Sequence, residues 1–209
     1  AWSQKESVAN NERQGARQSL DLIRQALEDY QTNALGDVTA NLQRYANAVG
    51  IPIPNGAKMN AAAVQEIIKQ AAARAATAGD TDMARGLSRL SSIDPTKEPE
   101  ANKQILAQSY ADVNARDAKY NYLQPRISAV PQLDTPYEEQ KWAEANPRKQ
   151  FFDEAYKNIA VRGEGADISK MKDGHVYIIE PGQFPGVNQP TKYRYVRGAD
   201  GKPQLSKVQ

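Results

Sequence analysis

The chain has no cysteine and a single histidine, His175. Within this chain Cys–His catalysis, Ser–His triads and zinc sites of thiolate or multi-histidine type are thereby excluded or nearly so. No run of 18 apolar residues occurs, so no standard membrane-spanning helix is expected, and the first residues do not read as a signal peptide. Large apolar side chains are scarce too: three Phe and two Trp in 209 residues, with a mean hydropathy of −0.73. Much of the apolar fraction is alanine, which lets helices approach closely but buries little area. That composition predicts an elongated multi-helix body whose remaining faces need partner subunits. The chain opens on Ala1 inside a helix-like stretch, which suggests a fragment of a longer polypeptide or a processed product.

One-sided charge is missing as well. Residues 1–79 carry 8 bases and 7 acids, residues 80–160 carry 11 and 13, and residues 161–209 carry 8 and 5, for a net charge of +2. No segment has the basic excess that binding to a phosphate backbone requires, so no specific nucleic-acid binding is expected. The absence of cysteine suits a cytosolic product and equally one that works later in an oxidising medium.

What is present reads as mainly α, ending in a small C-terminal antiparallel β-hairpin or meander. A helix is predicted over 3–30, polar in front, with apolar periodicity starting at Leu20 and continuing through Ile23, Ala26, Leu27 and Tyr30. Its front half is expected to be solvated or held by another chain. Further helices are predicted over 33–49, over 60–78 behind an Asn60 cap, and over 81–90. Another should run from Pro99 to about Leu123, with an extended linker between Pro125 and Pro131. Thr135-Pro136-Tyr137-Glu138 reads as a Thr N-cap and capping box, and Asn146-Pro147 separates two short helices. Most aromatic area falls between Tyr110 and Tyr156, so the core is expected there, around Tyr110, Trp142, Phe152 and Tyr156. After Met171 the period changes, with strands predicted at 175–179, 193–196 and 204–208. Three units follow: N-terminal helices over 1–50, partner-packed, a helical body over 51–165, and a β-tail over 166–209. Since so few strands are marginal alone, Val176, Ile178, Tyr193 and Tyr195 are the candidate interface residues for docking on a neighbour.

Catalytic candidates are few. Glu6-Ser7 resembles the Glu-Ser motif of lytic transglycosylases, whose glutamate protonates a glycosidic oxygen, but a raised carboxyl pKa needs apolar surroundings and these are polar. A solvated helix face explains the pair better. His175 lies among apolar strand residues with no nominated partner and reads as structural. Asp80, Asp82, Asp94, Glu98 and Glu100 lack the alternating loop of a calcium site; caps and turns explain Asp80, Asp94 and Glu98. Lys192, Tyr193, Arg194, Tyr195 and Arg197 combine base and aromatic as some single-strand binders do, but cross-strand packing accounts for them better. Gly182, Pro185 and Gly186 lack phosphate-cradle spacing. No catalytic residue, metal or cofactor is expected.

Three stretches taken in order carry a resemblance. The first is Thr81-Asp82-Met83-Ala84-Arg85-Gly86-Leu87 with Ser92-Ile93-Asp94-Pro95 and Glu98-Pro99-Glu100-Ala101-Asn102-Lys103-Gln104-Ile105-Leu106. The others are Glu144-Ala145-Asn146-Pro147-Arg148 and Lys172-Asp173-Gly174-His175-Val176-Tyr177. Together they resemble the C-terminal region of large tailed-bacteriophage virion proteins of the ejection, internal or tail type. The resemblance implies a non-enzymatic virion component assembled in the host cytoplasm, in several copies, at a portal, tail or internal core, with a part in genome ejection. Its implied partners are other virion proteins and copies of itself. Two other readings fit the same residues: a helical appendage of a phage peptidoglycan-degrading protein, and a bacterial helical scaffold or adaptor.

Overall fold

The computed structural model describes residues 2–32, 40–52, 60–77, 81–130 and 132–208, without the side chains of residues 2–10, 32, 40 and 81–83. Among these it is mainly helical, with seven α-helices followed by a three-stranded antiparallel sheet, as the periodicities predict. The helices are α1 (Trp2–Thr32), α2 (Ala40–Val49), α3 (Ala61–Ala76), α4 (Thr81–Leu87), α5 (Pro99–Ala129), α6 (Thr135–Ala145) and α7 (Arg148–Asn158). The strands are β1 (Val176–Ile179), β2 (Thr191–Arg197) and β3 (Pro203–Lys207), in that spatial order.

Helix α3 shows how the sequence builds the body. The Asn60 side chain accepts the Ala63 amide at 2.9 Å and closes the N-terminus. Val64, Ile67, Ile68, Ala71 and Ala75 then repeat every three or four residues and are all buried. This stripe packs on α1 and on the 3-10 turn Ser88–Ser92, whose Leu90 and following Ile93 are buried with it. Gln65 donates to the Ile93 carbonyl at 2.9 Å and pins that turn.

One apolar cluster runs from Ala16 to Ile159 and draws on α1, α2, α3, α4, α5 and α7. The predicted boundary near residue 50 therefore divides no cores: residues 16–27 of α1 and 42–49 of α2 pack with the body. The front of α1 also departs from expectation. Asn11 and Gln14 are exposed, and the Val8 side chain lies outside the described residues, but Arg13 and Ala16 are buried. The Arg13 guanidinium stacks 4.5 Å over the Tyr120 ring and pairs with Asp117 at 3.1 Å, so from Arg13 onward α1 packs on α5 of the same chain. An arginine does here what the apolar period did not advertise.

Apart from Lys103, the largest fully buried side chains are aliphatic (Leu20, Ile23, Leu42, Ile67, Ile68, Leu90 and Ile93 among them), and Tyr110, Phe152 and Tyr156 are half-buried at the edge of that cluster. The expected aromatic core is thus corrected to an aromatic rim. A tyrosine must still satisfy its hydroxyl, and an acid of a neighbouring helix does so both at the rim and, for Tyr45, inside the core. Tyr45 donates to Asp29 at 2.6 Å (α2 to α1), Tyr110 to Asp21 at 2.6 Å (α5 to α1) and Tyr122 to Glu138 at 2.8 Å (α5 to α6). Tyr156 donates to Glu100 (α7 to α5). Trp142 is buried and stacks on Phe151 with ring centroids 6.0 Å apart.

Two boundaries differ from the predicted ones. Helix α5 runs through Pro125 to Ala129 instead of ending near Leu123. Proline removes one amide donor there, and the carbonyl it leaves, that of Asn121, is on an exposed residue where water can satisfy it. Helix α6 is capped by Asp134, which accepts the Tyr137 amide at 3.2 Å, one residue before the expected Thr135. Glu138 is engaged by Tyr122 and does not turn back, so no capping box forms. The stretches 33–39 and 78–80, where helix ends were expected, are outside the described residues.

This packing ranks two substitutions. Ile67→Ala should lower the unfolding free energy by about 2–5 kcal/mol, the usual cost of emptying an aliphatic core site. Phe152→Ala, at the rim, should cost less. Urea denaturation of the two variants side by side checks the order, which an aromatic core would reverse.

Candidate functional site

The densest gathering of ionisable side chains lies where the helical body meets the sheet. Its centre is Lys103, on the inward face of α5 in line with Leu106, Ala107 and Tyr110. Lys103 is 1% exposed. A buried ammonium demands a counter-charge and donors' partners, because burial alone costs several kcal/mol per ion. Glu164 supplies the charge at 2.7 Å from the 3-10 turn Glu164–Ala166. The Tyr156 ring of α7 supplies a π face 4.1 Å from the lysine nitrogen.

Around this pair the other groups fall into place. Glu100, one turn before Lys103, accepts from the Tyr156 hydroxyl and from Gln104 at 3.2 Å. Burial pushes the Glu164 pKa up and the neighbouring Glu100 pushes it further, against the opposing pull of the Lys103 ammonium. For Glu100 burial acts upward too, but the neighbouring Glu164, hydrogen bonds from Tyr156 and Gln104 and the Lys103 charge hold it below the usual carboxyl range. Burial and the Glu100 carboxylate raise Tyr156, which therefore stays a donor. His175 lies edge-on to Tyr156 at 6.1 Å and against Tyr177 at 6.3 Å. Burial lowers its pKa, helped by the charges of Lys103, Lys172, Lys157 and Arg194, so it is neutral near pH 7.

The turn that carries Glu164 is held against β1. A Cβ on Gly165 would lie 2.6 Å from the Ile178 carbonyl oxygen, so this approach requires glycine. Gly174 adopts φ +77 to start β1, and its amide donates to the Tyr195 carbonyl at 2.9 Å. In register, Tyr177 faces Tyr193 and Val176 faces Arg194.

The four expected interface residues are used inside the chain. Val176 and Ile178 are buried with Ala160, and Tyr195 is buried with Met171, Tyr177, Ile179 and Val187. Tyr193 is half-buried on that second cluster. All four β1 residues are buried, because the strand is covered on both faces. The correction follows from sheet packing: the side bearing Lys192 and Arg194 lies on the helices. Lys192 pairs with Glu28 of α1 at 3.0 Å, and Arg194 donates to Asn158 at 2.8 Å and to the Gly174 carbonyl at 2.6 Å. The basic and aromatic set read as a possible single-strand platform is thus turned inward, with Arg197 alone of its five members exposed.

The remaining candidates separate. The side chains of Glu6 and Asp82, and all of Asp80, lie outside the described residues. Asp94 accepts from the amide and hydroxyl of Thr96 at 2.9 and 2.7 Å, a local turn. Glu98 occupies the N-cap of α5 but its side chain makes no capping bond. Gly182 and Gly186 make turns at φ +83 and +82. Among the described residues no group of three or more His, Asp or Glu is placed to hold a metal, and no helix is long and apolar enough to cross a membrane. A cleft of ≈ 390 Å³ beside β2 is lined by Arg24, Arg44 and Lys192. Its cations are already engaged, Lys192 by Glu28 and Arg44 by the Tyr45 hydroxyl at 3.2 Å. Sequence reasoning passed over Lys103 and Glu164. The signal for Lys103 was a lysine set at helical spacing in an apolar stripe; Glu164 had none.

Two substitutions test this account. Lys103→Met should destabilise the chain by about 3 kcal/mol, the scale for removing one partner of a buried pair, and adding Glu164→Gln should restore part of that. Gly165→Ala should cost about 1–3 kcal/mol, as overpacking does. Thermal or urea unfolding measures both, and a neutral Gly165→Ala would mean that the turn does not press on β1.

Compared with protein-family models, with curated proteins and with solved structures, the chain matches none.

Proposed function

We propose that the chain is a non-enzymatic structural component of a bacteriophage virion, present in multiple copies at the portal, tail or internal core and taking part in genome ejection. The observation that carries this reading is where the residues of the phage-like stretches sit. Asn102 accepts the Asp94 amide at 3.1 Å and donates to the Asp94 carbonyl at 2.7 Å, which locks the Pro-containing turn to α5. Lys103 anchors the junction with the sheet. Asn146 caps α6 and donates to the Trp142 carbonyl at 2.8 Å before Pro147 starts α7. Asp173 accepts the Arg197 amide at 2.7 Å beside the Gly174 turn.

Each of these residues closes a joint between elements. On this reading the chain contributes a framework of joined elements to the particle. Partners on this reading are other virion proteins and further copies of the chain, with the virion as its location after assembly in the host cytoplasm.

Mass spectrometry of density-purified particles from a culture producing this chain tests the proposal. Its peptides should band with the particles at several copies per particle and resist a high-salt wash. A chain found free in the lysate and missing from particles would refute the reading.

A further inference from the structure

The sheet has two outer edges, and the chain closes only one of them. On β1 the Glu164–Ala166 turn lies against the Ile178 carbonyl, which points away from β2. On β3 the edge is open: among the described residues β2 is its only strand neighbour, and Pro203, Gln204, Ser206 and Lys207 are exposed.

The ladder fixes which backbone groups that edge presents. The Val208 amide donates to the Lys192 carbonyl and the Gly198 amide to the Lys202 carbonyl, both at 2.9 Å. Bonding alternates along an antiparallel pair. With Arg194 opposite Ser206 and Val196 opposite Gln204, the backbones of Gln204 and Ser206 face β2. Leu205 and Lys207 therefore turn amide and carbonyl outward, and Pro203 turns its carbonyl outward.

We propose that the outer edge of β3 pairs antiparallel with the same edge of a second copy of this chain, Leu205 opposite the partner's Leu205, joining the two three-stranded sheets into one. In this register each Leu205 amide meets the other copy's Leu205 carbonyl, and each Lys207 amide meets the other copy's Pro203 carbonyl. The donor that Pro203 lacks falls opposite the partner's Lys207 carbonyl, at the exposed end of the pair where water can bind it. No lysine faces a lysine: Lys207 lies opposite the partner's Pro203, and Gln204 opposite the partner's Ser206, so no like charges oppose each other across the joint. Leu205 packs on the cluster of Tyr177, Ile179 and Tyr195, and the leucine pair continues that cluster into the second copy. Proline and lysine guard strand edges against indiscriminate pairing; their positions here leave this self-complementary register open. The inference names a surface where copies meet, and it holds or fails in the purified chain whether or not the chain belongs to a virion.

Amide exchange and sedimentation on the purified full chain test it together. At a concentration of about 1 mM the Leu205 and Lys207 amides should exchange at least about twofold more slowly than in dilute solution, as a Kd of about 1 mM or tighter requires. Sedimentation should show a dimer over the same range, and the Val208 amide, bonded inside the sheet, should not change. Leu205 and Lys207 amides unprotected throughout, or protected in a monomer, overturn the proposal. So does a monomer in which they slow only when an acidic strand peptide is added, which gives the edge to another partner.

The register has its own readout, because the chain has no cysteine of its own. Positions 204 and 206 of the two copies form a non-hydrogen-bonded pair, with Cα atoms about 4.5 Å apart, within disulfide reach. When the single variants Gln204→Cys and Ser206→Cys are mixed and oxidised, the mixed disulfide should exceed either homodimer several-fold. A statistical mixture, or a dominant Ser206→Cys homodimer, refutes the pairing.

Discussion

Lys103 is the constraint from which the junction of body and sheet follows. An ammonium that is 1% exposed cannot stand without a counter-charge, and no acid on α5 or α7 completes its shell alone. The chain leaves α7, turns, and brings Glu164 to 2.7 Å of the lysine nitrogen. That position forces the next residue to lie against the Ile178 carbonyl, which requires glycine at 165. The strand so placed sets the register of β2, and β2 in turn sends Lys192 to Glu28 and Arg194 to Asn158. A single buried charge thus orders elements that are more than 60 residues apart in sequence.

The helical body solves a different problem, a shortage of large apolar side chains. Alanines at 16, 26, 46, 71, 72, 75 and 107 are buried, so the helices pack closely over a narrow core. Close approach leaves seams at the surface. Tyr110, Tyr122 and Tyr156 cover them, each hydroxyl donating to an acid of the neighbouring helix, as buried Tyr45 does to Asp29. Burial and the adjacent carboxylates raise the pKa of Tyr45, Tyr110 and Tyr156, which keeps each hydroxyl a donor. Two arginines also lie over tyrosine rings, Arg13 at 4.5 Å from Tyr120 and Arg126 at 3.6 Å from Tyr122.

For the proposed role in a virion, both features matter more than any one side chain. The residues that resemble phage proteins hold turns and junctions in place, and the sheet is bound to its own body on the face expected to meet a neighbour. Docking, on this reading, would use the outer surface of an already folded unit.

The helical character, the Asn60 cap, the α3 stripe, the Asn146-Pro147 break and the three strands were legible in the sequence, because each depends on residues within one turn or one strand of each other. Where the alternatives were also local, the fold took another one: α5 passes Pro125 at an end open to water, and Asp134 caps α6 while Glu138 accepts from Tyr122. The candidate site was less legible. His175 and Glu100 were noticed singly and assigned nothing, since the lysine and second carboxyl that give them meaning lie elsewhere in the chain. A sequence records that Lys103 interrupts an apolar stripe. Which acid answers a buried charge is a matter of distance in space, and that the fold alone decided.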